Sequence, residues 1–478
     1  MHPVSAFALG RGATRATAQC SHARVLNQFR GFTTAPIVLA KAAAPKKKVA
    51  VRKGMTAQRS TGGRRKGGVD TASSLTKSTS HYQRAPDMAD LAALDATAIA
   101  SEAVGTPVAW SAKVLGAMEA FQIPRALERK QKLQPRPRSL VRDQSVTLIE
   151  LLKQGKTQDA ARHLLVGEPG CGKSTYLLQA LAHALEDGWA VVYIPRTIDM
   201  VNSSSPYVYS SVLQTYLQPE ITNALLTAIG KVNNEVLKKL KSIAPLTVEG
   251  HELFPKHTSL TTLVSKVLAE HTNPLARQLA LELVFNTLAQ QTEVPVLVAI
   301  DDVQALFAPS QYRDADFTQL QSYELAVPRS LLSLFLTSKK GIQRGALLAT
   351  VGMAHSEYPA PAPLLAAVRA ASSRRDAAVP WARILQTFSS PTSPTRVEEP
   401  HAYTPMDAQH LQNATDAHFA PLDVGARLTR AEASSLLDLM RREQVLWSPP
   451  NDELFVSKLM ESNGNICVFE RSWRATLV

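Results

Sequence analysis

The chain has 478 residues, with 53 Lys and Arg against 40 Asp and Glu, a formal charge of +13 at pH 7. That length allows two or three domains and a sizeable core. Cys20, Cys171 and Cys467 stand without metal-ligand spacing, which excludes a disulfide framework and a zinc site and fits a reducing compartment. No apolar run approaches the roughly 20 residues that cross a bilayer, so no membrane insertion is expected.

The cation excess is unevenly placed, because no Asp or Glu precedes Asp70. Residues 1–32 carry Arg11, Arg15, Arg24 and Arg30 among Ser, Thr and Ala, the composition of a mitochondrial presequence. Arg30-Gly31-Phe32 reads as a matrix-processing site, with cleavage expected near Phe32–Thr33. Residues 33–85 form a basic tail, with Lys46-Lys47-Lys48, Arg52-Lys53 and Arg64-Arg65-Lys66 among small residues. The tail has too little apolar material to offset the entropy of ordering. Its composition fits both a solvated flexible segment and one that neutralises RNA phosphates.

Residues 86–145 read as helical and extended segments. Asp90 to Glu102 is Ala-rich and helix-permissive, and Gln134-Pro135-Arg136-Pro137-Arg138 is extended, since residues before Pro avoid the helical region. Residues 146–357 alternate strand and helix patterns. A helix from Val146 to Gln154 leads to the apolar strand Leu164-Leu165-Val166, a glycine loop and a helix from Thr175 to Glu186. Ala190 to Ile194 is a second buried strand. Tyr207 to Leu217, Ile221 to Ile243, Leu260 to Ala269 and Pro274 to Gln290 read as helices. Val294 to Ile300 and Ala346 to Val351 are two further apolar strands. This alternation predicts an α/β fold with a parallel sheet covered by helices on both faces. Residues 358–400, rich in Pro, Ala and Ser, read as a surface insertion. Residues 401–478 read as a small helical domain with a short extended tail. In it Thr429 and Glu432 form a capping box, and Leu436, Leu437 and Met440 supply an apolar face.

The chemistry concentrates at Gly167-Glu168-Pro169-Gly170-Cys171-Gly172-Lys173-Ser174: Gly, four residues, Gly-Lys-Ser, between a strand and a helix. Successive backbone N–H groups can converge on phosphate oxygens only where the loop is nearly free of Cβ atoms. The helix N-terminus adds its own positive end. Lys173 is expected to bridge the β- and γ-phosphates, Ser174 to hold Mg²⁺ and Thr175 to meet the α-phosphate. Asp301 ends an adjacent apolar strand, the Walker-B position that holds Mg²⁺ through water. Asp302 has two readings, orienting an attacking water or capping the following turn. Thr350 has two as well, a γ-phosphate sensor or a core threonine. No arginine finger and no guanine-reading Asn-Lys-x-Asp motif are found, so ATP is not excluded as the nucleotide.

The run Gly167–Ser174, then Trp189-Ala190-Val191-Val192-Tyr193-Ile194-Pro195, Tyr207 and Gln218-Pro219, resembles the death-associated protein three family. So does Ala299-Ile300-Asp301-Asp302-Val303-Gln304-Ala305-Leu306-Phe307. Ser139-Leu140-Val141-Arg142 and the helix from Glu432 to Trp447 are similar to that family too. The resemblance implies a P-loop NTPase fold of AAA-like type with a small C-terminal helical domain. It implies GTP or GDP with Mg²⁺ and a seat in the mitochondrial small ribosomal subunit, in the matrix. Its implied partners are small-subunit rRNA, neighbouring ribosomal proteins and the large subunit across the interface. The family often has Gly after the Walker-B Asp; Asp302 stands there instead, which leaves hydrolysis open. The alternative is a mitochondrial AAA-like ATPase or GTPase switch with turnover. A DNA-associated ATPase ranks last, because Arg427, Arg430, Arg441 and Arg442 alternate with acids.

Overall fold

The computed structural model describes residues 88, 90–95, 99–156, 160–270, 273–335, 341–374, 378–388, 403–446 and 451–475. The expected presequence, 1–32, and the basic tail, 33–85, lie outside the described residues.

Five strands form the central sheet: β1 (Ala161–Val166), β2 (Ala190–Ile194), β3 (Val296–Ile300), β4 (Gly345–Thr350) and β5 (Ala420–Asp423). Their order is β5-β1-β4-β3-β2, and every neighbouring pair is parallel. All residues of β2, β3 and β4 are buried. Side chains alternate between faces along a strand, so burial of every position means that both faces are covered. Helix α1 (Asp143–Gly155) precedes β1, and α2 (Lys173–Glu186) follows it. Tyr176 to Leu185 is buried without a break, so α2 is a core helix, apolar around most of its circumference.

Several elements depart from the sequence reading. Tyr207 to Leu217 is a β-hairpin, Val208–Ser210 against Thr215–Leu217. Tyr207 packs on Tyr216 and Tyr312, and Tyr209 packs on Tyr216. Aromatic and β-branched residues pair well across strands, and that outweighed the apparent helical spacing. The helix read from Ile221 to Ile243 runs Pro219–Val232 and stops at Asn233. The Asn233 side chain accepts from Val191 N at 2.6 Å and donates to Val191 O at 2.8 Å, closing part of the exposed edge of β2. A second hairpin, Leu246–Val248 with His251–Phe254, turns through Glu249 and Gly250, both at positive φ. Asp90 to Glu102 is not one helix. Ala93 makes a bridge to Ala109, and among the described residues of this segment only Ser101–Ala103 winds into a 3₁₀ turn.

The segment 358–400 is not confined to the surface. Helix Ala362–Ser372 buries Leu364, Leu365 and Val368, and helix Trp381–Phe388 buries Ile384 and Phe388. The segment from 401 onward also contributes β5 to the sheet, beside β1. Helical patterning then gives α3 (Arg430–Arg442), α4 (Asp452–Glu461) and α5 (Ile466–Ala475). Thr429 and Glu432 form the expected capping box. In helix α5 Phe469 and Trp473, one turn apart, bury against Leu140, Leu436 and Met440, so helix runs to Ala475; the residues after it, where a short extended tail is expected, lie outside the described residues.

Candidate functional site

The Gly167–Ser174 loop leaves β1 at the edge of the buried core and enters α2 directly. Gly170 and Gly172 have φ of 81° and 106°, a region that side chains rarely adopt. Gly172 is the N-cap of α2, and no side chain caps the helix. The first-turn N–H groups therefore remain available to an anion. Lys173 Nζ turns back to donate to Gly167 O at 2.7 Å and Glu168 O at 3.0 Å.

Beside the loop, the carboxyl ends of β3 and β4 bring Asp301 and Thr350 together. Asp301 is 5% exposed; its Oδ1 accepts from Thr350 Oγ1 and from Asp302 N, and its carboxylate is also bonded by Ser174. Burial pushes the Asp301 pKa up, against the bonds from Ser174 and Thr350. Asp302 adopts φ 57° and makes no side-chain cap to the following turn, so the capping reading does not hold. Burial and then the neighbouring Asp301 charge push Asp302 up to about 7. A Cβ at Gly352 would lie 1.7 Å from Asp302 Oδ1, so only glycine fits opposite this carboxylate. Gln304 fixes that glycine from both sides, accepting from Gly352 N at 3.0 Å and donating to Gly352 O at 2.9 Å. Thr350, fully buried, thus serves Asp301 as a hydrogen-bonding partner and not by its methyl alone.

A third set of residues reaches the loop from the C-terminal helices. Asn465 Nδ2 donates to Pro169 O at 2.8 Å, while its Oδ1 caps α5 through Cys467 N at 3.1 Å. Cys467 N also lies 3.2 Å from Gly170 O, and a Cβ at Gly170 would meet Cys467 Cβ at 2.8 Å. Arg142, 3% exposed, donates to Glu432 on α3, to Tyr176 on α2 and to Ala426 O.

The structure therefore joins Lys173, Ser174 and Asp301, as the motifs predict, with Asp302 and Thr350 beside them. Glu168, Pro169, Cys171 and Thr175 lie on the same loop and first turn, with Cys171 buried beneath it. Sequence reasoning missed the contacts of Asn465 and Gln304. Nothing in local pattern links Asn465 to a loop 296 residues earlier.

Fold and site together define an α/β protein with a glycine loop between a strand and a helix at the carboxyl edge of a parallel sheet. The family model for mitochondrial ribosomal death-associated protein 3 matches residues 139–472. The chain belongs to that family. Relatives named small ribosomal subunit protein mS29 include one from Schizosaccharomyces pombe, 28% identical over 51% of this chain and 54% of its own length. Others come from Neurospora crassa, 26% identical over 51% of this chain and 52% of that one, and Bos taurus, 25% over 46% and 55%. The chain thus spans about half the length of the relatives it matches.

Proposed function

We propose that this chain is a structural component of the mitochondrial small ribosomal subunit that seats a Mg²⁺-bound guanine nucleotide at Gly167–Ser174, as in a P-loop NTPase fold. Family membership supports the ribosomal part of this reading. One arrangement supports the nucleotide seat: Lys173, Ser174 and Asp301 meet at an uncapped helix N-terminus behind positive-φ glycines. The residues fit the group. Lys173 would exchange the carbonyls of Gly167 and Glu168 for phosphate oxygens. Ser174 would hold Mg²⁺ by its hydroxyl and Asp301 would hold it through water, both hard-oxygen groups of the kind this ion prefers. Guanine is carried by the family resemblance and not by any base-reading residue. Within the subunit the partners are rRNA, neighbouring ribosomal proteins and the large subunit, with the basic 33–85 tail as one route to RNA.

A cycling nucleotide switch is the second reading, and Asp302 favours it. A carboxyl pushed to about 7 is matched to general-base work at neutral pH.

Two measurements test the proposal. Sedimentation of mitochondrial lysate should place the protein with small-subunit particles; its absence there sinks the ribosomal part. Mg-GTP should stabilise the purified chain by about 2.7 kcal/mol at 100-fold excess over Kd, which a rise in melting temperature would report. Lys173→Ala should abolish the rise, and a flat wild-type response refutes the seat. Lys173-dependent phosphate release would move the balance to the second reading.

A further inference from the structure

We infer that Arg196 reads the terminal phosphate at this site, giving the chain its preference for a nucleoside triphosphate over a diphosphate. This rests on the nucleotide seat proposed above. The placement comes from the sheet. β2 and β3 are parallel neighbours with Ile194 paired to Ile300, so Arg196 and Asp302 stand at equivalent steps beyond the strand ends. Backbone bonds hold Arg196 in that position. Asp301 N donates to Ile194 O at 2.9 Å on one side, and Thr197 N and Oγ1 donate to Asp301 O at 3.2 and 2.7 Å on the other.

The guanidinium itself is under-used. Its Nε is buried and has no hydrogen-bond partner. Among the described residues its ion pair is with Asp199 at 3.3 Å, and Asp199 is 55% exposed, so this pair contributes little to stability. A buried guanidinium N–H without an acceptor is costly, and a planar fork of donors is well suited to phosphate. The Arg196 charge reaches Asp302 and His355, and Lys173 reaches the same Asp302 from the loop side. Two cations therefore face one buried carboxylate pair from opposite sides, Lys173 at the loop and Arg196 at the end of β2. A diphosphate held by the loop leaves Arg196 with its protein neighbours only. A third phosphate adds the negative oxygens that its free donor lacks.

The alternative is that Arg196 merely neutralises Asp302. The full-length chain separates the two, with Mg²⁺ and either GDP or a GTP analogue carrying an imido β–γ bridge, and affinities read by calorimetry. The wild type should bind the triphosphate analogue more tightly. Arg196→Ala should weaken the analogue by about tenfold or more and leave GDP within about twofold, the scale of one charge-assisted hydrogen bond. Arg196→Lys, which keeps the charge and the fold but loses the fork, should restore part of the preference. Lys173→Ala should weaken both ligands. If Arg196→Ala and Arg196→Lys bind both ligands in the wild-type ratio, the assignment to Arg196 is overturned while the seat survives. If the wild type binds neither ligand, the seat fails and this inference with it.

Discussion

Buried charges flank the Gly167–Ser174 loop on two sides, and the two sides follow opposite rules. Toward the C-terminal helices the charges are matched. Arg142 pairs with Glu432 at 3.0 Å and Arg138 with Glu443 at 2.7 Å, all four side chains at most 4% exposed. Arg142 spends its remaining donors on Tyr176 and Ala426. Toward the sheet two carboxylates sit side by side, and both have raised pKa values despite the nearby charges of Lys173 and Arg196, because burial outweighs them. The first arrangement holds parts together. The second keeps negative charge where a cation is needed, and it carries an electrostatic cost in the protein alone. Buried pairs with full hydrogen bonding read as architecture, and adjacent like charges read as a site.

The sharpest way to break this comparison is to remove one partner of a matched pair. Arg142→Met leaves Glu432 buried without its guanidinium and should destabilise the chain by about 3–5 kcal/mol in urea unfolding. Pairing it with Glu432→Leu should recover most of the loss, because two apolar groups leave no stranded charge. A single variant costing well under 1 kcal/mol would mean that the pair is not structural. A smaller effect is expected at Asn465, which caps α5 and also holds Pro169 O. Asn465→Ala should cost about 1–2 kcal/mol, from one lost cap and one lost hydrogen bond. If the C-terminal helices shape the loop, the same variant should also weaken nucleotide binding; unchanged binding would confine Asn465 to a helix cap.

The loop, its helix and Asp301 were legible in sequence because each depends on near neighbours: glycines at fixed spacing, an apolar strand, an acid at its end. The capping box at Thr429 was legible for the same reason. What escaped depended on distant contacts or on competing local signals. Residues 207–217 carry apolar spacing that a helix could use, yet Tyr207, Tyr209 and Tyr216 pack together on the hairpin, with Tyr312 from another strand against Tyr207. The last strand hid in a stretch read as helical, since Ala420–Asp423 is short and acquires its identity by pairing with β1. The packing of helix α5 is not legible in local sequence, because its apolar face is completed by Leu140, more than 300 residues away in the chain. Segments whose partners are remote carry no local record of them.

The sheet side gives the smallest expected effect, and a test whose sign is fixed by linkage. The folded-state pKa of Asp302 lies at about 7, above its ordinary value of 3.8. Between about pH 4 and pH 7 the folded chain therefore binds more protons than the unfolded chain. Stability from this group falls as pH rises through that window and is flat above it. Asp302→Asn removes the titration while keeping the side-chain shape opposite Gly352. The variant should be more stable than the wild type at pH 8, by about 1 kcal/mol if one pKa unit of the shift is realised. The gap should close toward pH 5, where the wild-type carboxyl is protonated. Added Mg²⁺ and nucleotide should reverse the ranking at pH 8, because the site then needs its negative charge. Equal urea midpoints at pH 8 would show that Asp302 is well solvated or well paired. The contrast between the two flanks of the loop would then rest on Asp301 alone.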